Sequence, residues 1–181
     1  MNTSIGSLAA VPALGRPDLL AAPVAEALAA LDEPVAAAVG VAEIDPGAAD
    51  TATFCERYGV SLAESANCVV ISGRRDGETR YAACVILATT RADVNNTARR
   101  ELDVRKASFA AMDLAVEQTG MEYGGITPLG LPTGWPVLVD ALVADTPTVV
   151  IGSGLRRSKL VLPGKLLASL PGAKVIEGLA R

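Results

Sequence analysis

Thr119-Gly-Met-Glu-Tyr-Gly-Gly-Ile-Thr-Pro-Leu-Gly-Leu-Pro132 places four glycines and two prolines within fourteen residues. That density is incompatible with ordinary helix or strand, so the segment is predicted to be a shaped loop. Glycine admits positive φ and close approach of a ligand to the main chain, while Pro128 and Pro132 fix φ and restrict the alternatives. An ordered loop of this length in a small domain more often carries function than merely connects elements.

Outward from the loop, strands and helices alternate. On its N-terminal side, Ser108 to Gln118 reads as a helix with Met112, Ala115 and Val116 on its apolar face and Gly120 as its stop. Asp93 to Arg100 also reads as helical. Asn67 to Ser72 and Arg80 to Thr89 are β-branched runs around Gly73-Arg-Arg-Asp-Gly77, which predicts an antiparallel hairpin. Val35 to Ile44 reads as a strand. Before it, Pro23 to Leu31 has helical spacing; after it, Asp45-Pro-Gly47 turns the chain into a helix from Ala48 to Tyr58, with Asp50 or Thr51 at its start and Gly59 at its end. On the C-terminal side, Trp135–Val139, Thr148–Ile151, Lys159–Leu162 and Lys174–Ile176 are short strand candidates, and Pro163 to Leu170 is a helix. A hairpin among interspersed helices predicts an α+β fold, a mostly antiparallel mixed sheet or partly closed barrel with helices outside, rather than a doubly wound parallel sheet. Residues 1–16 read as a loose arm and 17–181 as one domain, the size expected for a single core at 181 residues.

Composition removes whole classes of chemistry. The chain contains no histidine, which excludes Ser-His-Asp and Cys-His nucleophiles and imidazole-based zinc sites. Catalysis must then use carboxylates, lysine, hydroxyls, thiols, backbone dipoles or the substrate itself. Cys55, Cys68 and Cys84 are odd in number, widely spaced and set in apolar surroundings, as expected of reduced structural thiols in a cytoplasm. A net charge of -4 and six aromatic residues argue against a broad basic face or a stacking platform for single strands, although gripping one RNA terminus needs only a local cluster. No apolar run approaches a membrane span, and the N-terminus lacks a basic stretch followed by an apolar one, so a soluble intracellular protein is expected. Neither the Gly-x-Gly-x-x-Gly spacing nor a Walker lysine accompanies the loop. No cofactor, DNA or membrane partner is expected.

The loop, followed by Pro136-Val-Leu-Val-Asp140, resembles the signature of the YbaK family of aminoacyl-tRNA editing domains, related to the insertion domain of bacterial prolyl-tRNA synthetase. Gly59-Val60, Asn67-Cys-Val-Val-Ile71, the hairpin, Arg105-Lys106, and Gly154 with Arg156 before Lys159-Leu-Val-Leu162 resemble successive family landmarks over roughly residues 20–172. The resemblance implies a mixed barrel-like core wrapped by helices, and a deacylase acting on the 3′ end of a mischarged aminoacyl-tRNA, with an aminoacyl-tRNA synthetase as a second candidate partner; a cytoplasmic location is expected. The family's glycine-x-x-x-proline loop matches Gly124 to Pro128. It implies that amides near Gly124 and Gly125 hold the ester and its oxyanion while the tRNA's own 2′-hydroxyl orients water. Thr127, Pro128, Asp140, Gly154, Arg156 and Lys106 are then substrate-binding candidates, and Asn67 stands where editing members carry a lysine, with Ala66 in its place if the register slips by one. Either another cation reaches the pocket, from Lys106, Arg80 or Arg156, or binding survives while hydrolysis is weakened. Plainer roles compete: a strand-edge cap for Asn67, a turn for Asp140, a bond within the loop for Thr127, and a solvated pair for Arg156 and Arg157. A carboxylate metal site at Asp113, Glu117 and Glu122 is a weaker alternative, since that spacing also describes a wet helix face.

Overall fold

The computed structural model describes residues 5–181. Its strands are β1 (Val11–Pro12), β2 (Gly40–Glu43), β3 (Ala66–Arg75), β4 (Glu78–Leu87), β5 (Ala107–Phe109), β6 (Val137–Asp140), β7 (Val149–Gly152), β8 (Ser158–Leu162) and β9 (Ala173–Ile176). They form two sheets, ordered β1-β2-β8-β7 and β5-β3-β4-β6-β9. Pairing is antiparallel throughout the first sheet, whereas β4-β6 and β6-β9 in the second are parallel. The sheets meet along one seam, where Ser65 bridges Val150. The fold is α+β with a mixed sheet system, as the interspersed elements predict, and the Ser65–Val150 bridge joins the two sheets.

Strand alternation sorts the apolar residues into three cores. Val85 and Leu87 of β4 pack with Leu160 and Leu162 of β8 between the sheets, while Ala82, Cys84 and Ile86 of β4 face Leu102 and Leu179 on the other side. Val161 of β8 and Val150 of β7 face Phe54 of the helix Thr51–Tyr58 in the third. Strands covered on both faces lose the polar half of the period, which is why β4 and β8 read as continuous apolar runs.

Local chemistry sets the elements around the seam. The Asp50 carboxylate accepts from the Thr53 amide at 3.1 Å and starts the helix Thr51–Tyr58, and Gly59 ends it at φ 64°. The hairpin turns on Asp76 (φ 52°) and Gly77 (φ 85°), so β3 and β4 are longer than their β-branched runs suggest.

Three expectations need correction. Val35–Ile44 is not one strand: Pro34 falls in the first turn of a short helix, Glu33–Ala36, and β2 begins only at Gly40. Ser108–Gln118 is not one helix either, because Ala107–Phe109 pairs with Ile71–Gly73 of β3 and the helix runs from Met112 to Thr119. The sheet edge captures residues whose local spacing favoured helix. Finally, the N-terminal stretch is tied down within residues 5–12: Ile5 and Leu8 are buried in the Phe54 core and β1 pairs with β2. Residues 1–4 of the expected arm lie outside the described residues.

Candidate functional site

The loop folds back on the turn after β7. The Gly125 amide donates to the Glu122 carbonyl at 2.9 Å, the Gly154 amide to the Gly125 carbonyl at 2.7 Å, and the Glu122 amide to the Gly154 carbonyl at 2.8 Å. Only glycine fits here, because a Cβ on Gly152 would stand 2.3 Å from the Gly125 oxygen and one on Gly125 would meet the Leu155 backbone at 2.8 Å. Arg156 fastens the outer side: its amide donates to a Glu122 carboxylate oxygen (2.6 Å), and its guanidinium to the carbonyls of Tyr123 (3.1 Å) and Pro46 (3.2 Å).

Several loop amides meet no acceptor among the described residues, and those of Tyr123, Gly124 (φ 81°) and Ile126 belong to residues that line a cleft. The cleft, of about 580 Å³, is also lined by Thr51, Asn67, Arg156 and Lys159. The mouth carries exposed apolar side chains, Phe109 (62%) and Tyr123 (56%). The Gly125 N–H, expected to be an open donor, closes the turn on Glu122 in this structure, while the Ile126 N–H has no acceptor among the described residues.

In the sequence Lys159 marks only the start of a strand. Cross-strand partners share a face, and Lys159 pairs with Gly152 of β7 and Ala42 of β2. Its stem therefore lies on the Phe54 face, beside the glycine on which the loop rests. The residue is 8% exposed; Nζ donates to the Ala49 carbonyl at 3.1 Å and stands 5.2 Å from the Phe54 ring centroid. No carboxylate pairs with it among the described residues. Burial lowers its pKa to about 8; Arg156 lowers it further, and Cys55 and Asp50 partly oppose the shift. The one signal the sequence holds is a lysine inside Ser158-Lys-Leu-Val-Leu162, a run otherwise suited to burial on both faces.

The other candidates divide sharply. Asn67 is half-buried in the cleft wall and its Oδ1 accepts from the Thr51 hydroxyl at 2.7 Å. Gly154 serves the loop clamp, and a Cβ there would meet Ala21 at 2.4 Å. Thr127 is fully buried with its amide against the Met121 sulfur, and Pro128 is buried beside it, so both shape the loop from behind. Asp140 does not reach the cleft: its two oxygens accept from the amides of Leu142 and Ala180, both at 2.9 Å. Arg80 is paired with Asp103 near the turn of the hairpin. Lys106 lies with Arg74 and Arg105 along a separate groove beside β5. No group of three His, Cys, Asp or Glu side chains is arranged to hold a metal ion among the described residues. Burial raises the Cys55 thiol, lifts Cys84 to about 12 and Cys68 higher still, with Cys84 adding to the Cys68 shift. None is poised as a thiolate. No helix among the described residues is long and apolar enough to cross a membrane.

Comparison with known proteins gives a family and a fold. Residues 45–170 match the aminoacyl-tRNA editing domain family. The uncharacterized protein YwhH of Bacillus subtilis (strain 168) is 30% identical over 135 residues, spanning 75% of this chain and 83% of that protein. Two solved structures share the fold. One, described as a candidate trans-editing enzyme for prolyl tRNA synthetase, superposes with a TM-score of 0.71 at 22% identity, covering 87% of this chain and 97% of that one. The other, the hypothetical protein APE2540, gives 0.71 at 21% identity over 82% and 95% of the two chains. With the family match spanning the loop, the cleft-lining residues and β3 to β8, the chain belongs to the aminoacyl-tRNA editing domain family.

Proposed function

We propose that this protein is a trans-acting deacylase that hydrolyses the ester between a wrongly attached amino acid and the terminal ribose of a tRNA. The observation that carries the reading is the pair of unspent amides, Gly124 and Ile126, on a loop locked by glycine-to-backbone contacts at the edge of a cleft. Donors fixed before the substrate arrives need not reorganise as negative charge develops, and one such donor is typically worth about 10²–10³ in kcat. Discrimination among small side chains by binding alone is limited to about 1–3 kcal/mol per methylene, which gives hydrolytic editing its purpose.

In this reading water attacks the ester carbonyl carbon, the carbonyl electrons move onto oxygen facing the two amides, and collapse breaks the bond to the ribose oxygen. The departing ribose hydroxyl takes up a proton, and the amino acid leaves as its carboxylate. With no histidine in the chain, the vicinal hydroxyl of the terminal ribose orients the water. Asn67, held by Thr51, offers its amide N–H bonds to the ribose or the amino-acid group. Phe109 and Tyr123 at the mouth suit stacking on the terminal base. From there the preceding phosphates lie along β5 toward Arg74, Arg105 and Lys106, which make no ion pair among the described residues. A synthetase partner, as described for the solved relative, fits the same reading.

The test is release of amino acid from tRNAs charged with Ala, Ser, Thr or Cys; folded protein inert across that panel sinks the proposal. A second reading, a binder of aminoacyl esters that has lost hydrolysis, is favoured by the uncharged Asn67 at the position where editing relatives carry lysine. Asn67→Lys separates the two, since it awakens hydrolysis in a silent binder and brings no gain to an enzyme that already uses asparagine.

A further inference from the structure

Lys159 is out of place by every rule of core construction. It occupies a sheet position flanked by Ala42 and Gly152, on the same face as Val161 and Val150, over the ring of Phe54. A lysine there costs desolvation that a leucine or methionine would avoid, and without a carboxylate the cost is not offset by pairing. An ammonium has three N–H donors. One is used on the Ala49 carbonyl, and the other two find no protein acceptor among the described residues. The residue contributes to the wall of the same cleft as Gly124, Ile126 and Asn67.

The charged and titratable groups around it can be named. The helix Thr51–Tyr58 presents Cys55, the segment before it Asp50, and the turn before β8 Arg156, whereas β2 and β7 present only Ala42 and Gly152. Asp50 is engaged as the helix cap through Thr53, and the Arg156 guanidinium by two backbone carbonyls. Lys159 is therefore a buried cation of this cleft with two donors left for a ligand, beside an Arg156 guanidinium already tethered to the Tyr123 and Pro46 carbonyls by two of its five N–H groups. Arg156, which lines the same cleft, is committed to the loop through Glu122 and Tyr123.

We infer that the Lys159 ammonium is a substrate-binding group of the cleft, donating to the carbonyl oxygen of the bound aminoacyl ester and to the oxyanion that replaces it, together with the Gly124 and Ile126 amides. The inference rests on the deacylase reading for its substrate, and on burial, pairing and unspent donors for its geometry. Since the acting form is protonated, its contribution is present below the lysine's pKa, near 8, and is lost as pH rises through that value. A bound acceptor moves this limit upward.

The experiment compares full-length wild type, Lys159→Met and Lys159→Arg. On the tRNA of the panel that wild type deacylates best, kcat/KM after subtraction of uncatalysed hydrolysis is expected to fall at least 100-fold in Lys159→Met. The wild-type alkaline decline above about pH 8 is expected to be absent from the residual activity of that variant. Lys159→Arg is expected to recover less than a tenth of wild type, because a planar guanidinium does not occupy an ammonium's pocket between Ala49 and Phe54. Activity of Lys159→Met within threefold of wild type, or an unchanged alkaline limb in that variant, overturns the inference while leaving the deacylase reading intact.

Binding is measured separately with 3′-deoxy-3′-(alanylamino)adenosine, whose amide replaces the ester. Wild type is expected to bind it at least tenfold more tightly than Lys159→Met at pH 7. If wild type binds the analogue with that preference yet deacylates nothing, the lysine's role stands and the enzymatic reading falls. Equal binding by the two proteins, or no binding by either, overturns the lysine's role. A melting temperature of Lys159→Met at or above wild type establishes that lost function is not lost fold.

Discussion

Lys159 Nζ stands 5.2 Å above the centroid of the Phe54 ring and 3.1 Å from the Ala49 carbonyl oxygen, with no carboxylate to balance it among the described residues. The ring face and one carbonyl dipole compensate only part of the lost hydration. The pKa falls from 10.5 to about 8, so between those values the unfolded chain binds a proton that the folded chain has released. Stability then rises with pH across that window and carries its full penalty below it. Lys159→Met is expected to be more stable than wild type at pH 7, by an amount on the order of 3 kcal/mol, and the difference should shrink by pH 10. Denaturant titrations of both proteins at the two pH values check this; the comparison cancels the opposing titration of the buried thiols.

Gly152 supports the loop by having no side chain. A Cβ at this position would lie 2.3 Å from the Gly125 oxygen and 2.8 Å from that of Ile126, both backbone atoms without rotamer freedom. Gly152→Ala is expected to cost about 1–3 kcal/mol of stability and to reduce deacylation by more than tenfold, as the free amides shift. Gly15→Ala, where nothing lies within 4 Å of the added carbon and φ is not positive, is the matched control and should leave both unchanged. Thermal melts and single-turnover hydrolysis separate the two positions.

Asp140 holds the start of the helix Ala141–Asp145 with one oxygen and the Ala180 amide with the other. Asp140→Ala removes a cap and leaves a buried amide without its acceptor, which together cost about 2–4 kcal/mol. Activity per folded molecule should stay within twofold of wild type. A drop in kcat/KM at temperatures well below the melting transition would place the residue back among the groups that touch substrate.

Arg74, Arg105 and Lys106 border one groove of about 630 Å³ beside β5, continuous in sequence with Phe109 at the cleft mouth. Replacing all three with alanine is expected to raise KM for aminoacyl-tRNA at least tenfold and to flatten the dependence of log affinity on log salt by about 0.7 for each phosphate no longer neutralised. Hydrolysis of an aminoacyl-adenosine, which lacks those phosphates, should be unaffected. Equal effects on both substrates would mean that the triple substitution acts through the fold.

Much of this is legible in the sequence. The glycine and proline content of Thr119–Pro132 specifies a loop whatever surrounds it, because glycine frees φ and proline fixes it. Asp50 and Gly59 bracket a helix by hydrogen-bond chemistry local to the chain, and Asp76-Gly77 sets a two-residue turn for the same reason. The absence of histidine limits the chemistry without reference to shape. Tertiary structure alone decided where the loop is anchored, because the Gly125 carbonyl and the Glu122 amide are both tied to Gly154, in the turn after β7. It also made Ala107–Phe109 a strand, by offering it the edge of β3. It turned Asp140 toward the Leu142 and Ala180 amides and set Lys159 in the cleft wall among neighbours distant in sequence: Ala49, Phe54 and the glycine of β7. Turns and caps are settled within a few residues, whereas the cost of burying an amine, and the use to which it is put, exist only once separate segments exclude water around it.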